Sequence, residues 1–264
     1  MAGKFQETGA VCRNDEVAPG IFVLTARAPQ ISKTARPGQF VHVRVAKNPV
    51  QFLRMPFAVY DVDPDAESID VCYQVVGEGT RQLSELAAGD EADFIGPVGN
   101  GWTAPEGVER ALLIAGGVGA PALNLLAREL AGAGVTVDAV MGAQSKEKFC
   151  CVDRLGASVE ESGGTLHFTT DDGSFGTKGF VTAESDALIA TGVYDYVAVC
   201  GPTPMMANAV KPALAAGVPC QVSMEKLMAC GVGACLSCVV ETHAGRKRCC
   251  VDGPVFDAAE VIWR

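Results

Sequence analysis

Three cysteines, Cys230, Cys235 and Cys238, fall within the segment MACGVGACLSCVV (228–240), and Cys250 follows after eleven more residues. Cys-x4-Cys-x2-Cys with a distant fourth cysteine is close to the plant-type spacing for a [2Fe–2S] cluster. Two irons and two bridging sulfides need four thiolates around a compact group, so a loop supplying three of them must wrap tightly. Gly231 and Gly233 can take positive φ and turn backbone N–H groups toward sulfur. Ala229, Ala234 and Ser237 are small enough to lie against a cluster. The competing chemistries are structural zinc and free thiols. Zinc ligands usually come as Cys-x2–4-Cys pairs parted by a longer loop, whereas here a triplet precedes a single cysteine. The fourth ligand stays open at this level: Cys249 and Cys250 are adjacent, and Cys220 is a weaker third candidate.

Other stretches have the chemistry of flavin and nucleotide sites. LRMPFAV (53–59) is an Arg-x-Pro-aromatic type of strand, which on its own reads equally well as an edge strand. In GEGT (77–80), Gly79 and Thr80 open a short helix whose free N–H groups suit a pyrophosphate. LLIAGGVGAP (112–121) is a strand, a glycine turn at Gly116, Gly117 and Gly119, and a helix start. It departs from G-x-G-x-x-G at Ala120 and Pro121, though proline suits a first helical turn. GAQSKEK (142–148) follows another strand and is placed to meet an adenosine ribose, with Lys146 and Lys148 able to meet a 2′-phosphate. CGPTPMM (200–206) lies at the C-terminal end of a late strand, the functional edge of such sheets. Cys200 there is either a nicotinamide contact or a core thiol.

These residues need a scaffold, and the pattern supplies two. Up to about residue 105 the chain reads as short strands at 21–28, 39–46, 57–63 and 68–76, separated by turn residues, with one helix at 80–87. That pattern predicts a small antiparallel barrel. From about 108, strands at 109–117, 135–143, 165–170 and 194–202 alternate with helices at 120–134, 182–191 and 204–216, which predicts a parallel α/β sheet. From Cys220 the chain is short, Cys-rich and turn-rich. The expected division is 1–105, 106–219 and 220–264. With 264 residues, a net charge of −10 and a pI of 4.8, the chain lacks the basic surface of a nucleic-acid binder. No apolar leader opens it and no run is long enough to span a bilayer, so a cytoplasmic protein is expected. Eleven cysteines in a reducing compartment read as ligands or buried thiols rather than disulfides.

The order of motifs (RMPF, GEGT, GPVGNG, AGGVGAP, CGPTPMM, then the cysteines) resembles the ferredoxin–NADP reductase superfamily. More closely, GPVGNGW (96–102), DGSFGTKGFVT (172–182), SMEKLMACGVGACLSCVV (223–240) and CVDGPVF (250–256) resemble the electron-transfer subunits of class B dihydroorotate dehydrogenases. The resemblance implies an antiparallel Greek-key flavin barrel, a parallel-sheet nucleotide-binding unit and a small C-terminal [2Fe–2S] unit. It also implies FAD, one [2Fe–2S] cluster and NAD, and a heterotetramer with an FMN-containing dihydroorotate-oxidising catalytic subunit, in pyrimidine biosynthesis. It puts the cluster on Cys230, Cys235, Cys238 and Cys250. The cofactor-binding candidates are Arg54, Met55, Pro56, Phe57, Ala58, Cys72, Tyr73, Gln74, Gly79, Thr80, Gly116, Gly117, Gly119, Gly201 and Pro202, with Cys200 as catalytic candidate. The alternative is the flavin and iron–sulfur subunit of an NADH-dependent ferredoxin–NADP oxidoreductase. The chain departs from the family where an arginine normally stands three positions before a Ser or Thr: Met55 and Ala58 occupy those places, and Arg54 comes one position early.

Overall fold

The computed structural model describes residues 3–45 and 53–263. Strands β1 (Phe5–Ala18), β2 (Ile21–Arg27), β3 (Phe40–Val45), β4 (Met55–Asp63), β5 (Ser68–Gln74) and β6 (Glu91–Val98) form a closed barrel in the order β1-β2-β5-β4-β3-β6. All its pairings are antiparallel. The jump from β2 to β5 and the return through β4 and β3 is a Greek key. Inward residues such as Leu24, Val41, Val43, Val71 and Phe94 are almost fully buried. Short helices α1 (Pro29–Thr34) and α2 (Glu78–Ser84) interrupt the barrel sequence.

Seven further strands make one sheet in the order β10-β9-β8-β7-β11-β12-β15. They are β7 (Arg110–Gly116), β8 (Thr136–Ala143), β9 (Leu166–Thr170), β10 (Thr177–Lys178), β11 (Tyr196–Cys200), β12 (Cys220–Ser223) and β15 (Val255–Asp257). Helices α3 (Pro121–Gly132), α4 (Val152–Glu161), α5 (Val181–Ile189) and α6 (Thr203–Ala215) connect them. After Arg110, β7 is apolar and buried because both of its faces are covered. Ala111 and Leu113 join the core under α3 and α4, while Leu112 and Ile114 join the core under α5 and α6. Chain order reverses between β7 and β11, so the loops after these two strands flank the switch point where such sheets bind ligands.

The segment after Cys220 does not stand apart. β12 pairs in parallel with β11, and β15 adds antiparallel to β12, so the sheet runs through the expected boundary at 219–220. Only β13 (Val239–Thr242) and β14 (Gly245–Arg248) form a separate hairpin, and it carries the cysteine loop. The last residue of the strand expected at 39–46 lies outside the described residues. Among the described residues, no helix is long and apolar enough to cross a membrane.

Candidate functional site

The cysteine loop runs from β12 to β13. Gly231 at φ +65° and Gly233 at φ +87° bend it, and both are also sterically required. A Cβ on Gly231 would lie 2.8 Å from the His42 ring, and one on Gly233 would lie 2.5 Å from Val251 Cγ2. The loop is thus pressed between barrel strand β3 and the turn after β14. Amide N–H groups of Val232 and Cys235 point at Cys230 Sγ, at 3.5 and 3.4 Å. Burial pushes the Cys230 thiol up, but these loop amides outweigh it and bring it down to about 6. That environment suits a thiolate ligand.

Cys238 Sγ and Cys250 Sγ lie 3.4 Å apart. Arg248 shapes this half: it donates to Gly233 O at 3.1 Å and to Asp252 Oδ2. The Cys249 amide donates to Cys238 O at 2.9 Å. Burial first, then the neighbouring Cys238, pushes both the Cys249 and Cys250 thiols up to about 12. Of the three candidates for fourth ligand, Cys250 is the one whose sulfur meets the loop cysteines. Cys220 is built into β12 among core residues.

A cleft of about 630 Å³ lies between the barrel and the sheet. Arg54, Met55, Pro56, Phe57 and Ala58 line it from β4 and its approach, and Cys72, Tyr73 and Gln74 line it from β5. Cys200 and Pro121 come from the sheet side. Not every expected group is free to serve. The Arg54 guanidinium donates to Asp93 Oδ2 at 2.5 Å and to Asp93 O at 2.8 Å, so a pyrophosphate would compete with Asp93 for it. Thr80 Oγ1 accepts from the amides of Val76 and Gly77 at 2.9 and 3.1 Å; its hydroxyl shapes the start of α2. Tyr73 donates to Asn14 Oδ1 at 2.9 Å, which leaves its ring for the cleft. Lys148 donates to the Pro19 carbonyl at 3.3 Å, and Lys146 lies 5.3 Å over the Phe175 ring.

The glycines after β7 and β11 belong to one close contact. A Cβ on Gly119 would sit 2.4 Å from the Cys200 carbonyl oxygen, and one on Gly116 would sit 2.3 Å from Met205 Sδ. A Cβ on Gly201 would lie 2.8 Å from Met205 Cε. Gly117, at φ +54°, has open space beside it. Pro202 precedes α6 as its N-cap. Cys200 is 3% exposed, and burial pushes its thiol up to about 12. It faces the cleft as a neutral S–H.

Three residues here carried no sequence signal of their own. Asp93 fixes Arg54. Glu225 lines the cleft, where its surroundings raise its carboxyl above the usual range; it lies in SMEKLM, a stretch matched as a block with no role for any one residue. His42 is fully buried, with Nε2 3.4 Å from Met228 Sδ. Burial, then the Arg54 charge, lowers it from 6.5 to about 4. A depressed histidine favours the neutral form in the fold. Its contribution is complete above pH 6.5 and is lost as pH falls through about 4. We expect the wild type to lose roughly 3 kcal/mol more than His42→Gln across that window, read from urea unfolding midpoints at a series of pH values. Parallel curves for the two proteins would show that His42 does not titrate in this way.

Comparisons with known proteins agree with this geometry. The family described as "Iron-sulfur cluster binding domain of dihydroorotate dehydrogenase B" matches residues 225–262. The "Dihydroorotate dehydrogenase B (NAD(+)), electron transfer subunit" of Bacillus pumilus is 35% identical, with 95% of this chain and 96% of that protein covered. The subunit of the same name from Clostridium acetobutylicum is 39% identical, with coverages of 96% and 95%. Among solved structures, that of an NADH-dependent reduced ferredoxin–NADP oxidoreductase, described for flavin-based electron bifurcation, superposes with a TM-score of 0.87. It is 35% identical, and 97% of this chain and 90% of that one are covered. A ferredoxin reductase of carbazole 1,9a-dioxygenase, at 20% identity and a TM-score of 0.69, shares the fold over 82% of this chain and 67% of its own.

Proposed function

The chain belongs to the family of dihydroorotate dehydrogenase B electron transfer subunits, and from that premise we propose that it passes electrons from a dihydroorotate-oxidising catalytic subunit to NAD+. The cofactors are FAD, a [2Fe–2S] cluster and NAD. The observation that carries this is the cysteine arrangement: two sulfurs 3.4 Å apart at Cys238 and Cys250, beside an amide-bonded Cys230 sulfur next to Cys235. The Cys-x4-Cys-x2-Cys spacing with a distant fourth cysteine favours two irons over a single zinc. When bound, FAD exchanges single electrons with a cluster and a hydride with a nicotinamide.

The chain's own residues do the holding. Cys230, Cys235, Cys238 and Cys250 are the cluster ligands of this proposal. The segment Arg54–Ala58, the strand Cys72–Gln74 and the start of α2 at Gly79 and Thr80 border the flavin, so 1–105 serves FAD. Residues 106–219 serve NAD through Gly116, Gly117, Gly119, Gly201 and Pro202. Residues 220–264 serve the cluster while also completing the sheet. Cys200, as a neutral thiol, contributes contact at the nicotinamide and not nucleophilic attack. Ala58 offers the flavin no hydroxyl, which leaves backbone N–H groups as donors on that strand. Leu227, 90% exposed, with Val232 and Leu236, surrounds the cysteines with apolar surface of the kind that partners cover. We place the FMN-containing catalytic subunit there, in a heterotetramer with two of each chain.

The test is reconstitution with the cognate catalytic subunit, dihydroorotate and NAD+. NADH formation that needs both chains is expected; none with both chains flavin- and iron-loaded would sink the proposal. The high structural similarity to the NADH-dependent ferredoxin–NADP oxidoreductase, together with Arg54 standing before Met55-Pro56, favours a second reading as a subunit of that enzyme type. The identity of the chain that co-purifies separates the two.

Gly119→Ala tests the nucleotide end. The clash is with backbone at Cys200 and Gly201, which cannot swing aside as a side chain would. Displacing a reacting group by even 1 Å costs about 100-fold, so flavin reduction by NADH should slow by about that factor with FAD occupancy unchanged. Stopped-flow reduction measures it, and a wild-type rate would remove the switch-point assignment.

A further inference from the structure

Cys150 and Cys151 are used by none of the chemistry above, and the Cys72 thiol meets them at the edge of the flavin cleft. Their three sulfurs all lie within 4.8 Å of one another. They come from two units: Cys72 from β5 of the barrel, and Cys150 and Cys151 from the loop that enters α4 beside the sheet. We propose that this trio is a second metal site, which binds one thiophilic d10 cation of the zinc class and clamps the barrel to the α/β sheet.

A single cation bound at about 2.3 Å to each of three sulfurs holds them about 3.8 Å from one another, a spacing that fits inside the 4.8 Å within which the three lie. Cys72 and Cys150 are buried and Cys151 is half-buried, so the site is shielded without being sealed. A separate cavity of about 400 Å³, lined by Tyr60, Cys150, Cys151 and Arg154 among others, gives a cation a way in and leaves room for water as fourth ligand. Soft sulfur ligands select d10 cations over magnesium or calcium. Cys151 is held at φ +60° as the N-cap of α4, with no side-chain hydrogen bond capping that helix. Binding releases the thiol protons of the three cysteines to solvent, and no oxidant or reductant takes part. A disulfide would use only two of the three sulfurs and leave the third unpaired.

The test is Zn(II) titration of the full, flavin- and iron-loaded protein after mild chelation, with metal content by elemental analysis and sulfur number by X-ray absorption at the zinc edge. One zinc per chain above the iron content, bound to three sulfurs, is expected. Cys150→Ser/Cys151→Ser should weaken it at least about 100-fold with iron unchanged. Zinc should also raise the unfolding temperature of the wild type and not of the double variant, and should protect Cys72, Cys150 and Cys151 of the wild type from alkylation. No zinc beyond the iron site overturns the proposal, as does equal uptake by the double variant. An intact mass lighter by two hydrogens, with the trio linked as a disulfide and no metal bound, overturns it too.

Discussion

Cys235→Ser is expected to lose the cluster and keep the flavin. Iron should fall to about a tenth of the wild-type content or less, since losing a ligand costs more than the 10–100-fold that an outer neighbour costs. FAD should remain, because β4, β5 and the sheet edge supply most of the cleft, and the part of the cysteine loop that lines it, residues 224–228, precedes the first ligand. NADH should still reduce the flavin, while electron delivery from the catalytic subunit should fall at least about 100-fold. Cys250→Ser should behave alike, since its sulfur is 3.4 Å from Cys238. Cys249→Ser is the control. Its side chain is fully buried and belongs to the core that packs around Val240 and Phe256, so the change should cost stability while iron stays near wild type. Iron and flavin analysis of the three anaerobically purified variants decides the matter. Iron retained in Cys250→Ser and lost in Cys249→Ser would exchange their roles.

Much of this was legible because function and local structure wrote in the same residues. The cysteine spacing, the glycines after β7 and the CGPTP turn each sit where a backbone must approach something closely. The strands β7, β8 and β11, apolar but for Arg110, Thr136 and Asp138, were legible because both their faces are buried. What was not legible has physical reasons. β1 is long but mostly exposed, with Val11 and Ala18 among its few buried side chains, so no alternation marks it. β6 carries Gly96-Pro97, which reads as a turn. α4 starts from a cysteine at positive φ, where no capping residue announces a helix. β12 and β15 are too short to signal themselves, so a tail that reads as an appendage completes the sheet. Cys72 lies 78 residues before the adjacent pair Cys150 and Cys151, and only the fold brings the three together.

The cysteine loop and the flavin strand are connected through the barrel wall. His42 on β3 lies under Gly231 and beside Met228, and the same residue pairs with Pro56 on β4. One barrel strand therefore touches the loop on one side and the flavin-lining strand on the other. This explains how a short loop with little core of its own holds a fixed position relative to the cleft.

Asp93→Ala should be the most damaging change in that wall. The carboxylate is 5% exposed and takes Arg54 at 2.5 Å and Arg44 at 2.8 Å, with Gln6 nearby at 3.3 Å. Arg44 is 42% exposed, so water can replace its share. Arg54 is only 12% exposed and would be left as a buried unpaired cation, a loss of about 3–5 kcal/mol. The flavin strand begins at the next residue, Met55, so FAD should also bind about tenfold more weakly as the strand loses its anchor. Pairing Asp93→Leu with Arg54→Met removes both charges, and apolar replacement of a buried pair is often neutral. Stability should then return while FAD affinity stays low. Urea unfolding and flavin retention on the single and double variants separate the two effects. A single variant within about 1 kcal/mol of wild type would mean that Arg54 finds solvent on its own. Full recovery of FAD binding in the double variant would show that Asp93 acts through stability alone and does not position the flavin strand.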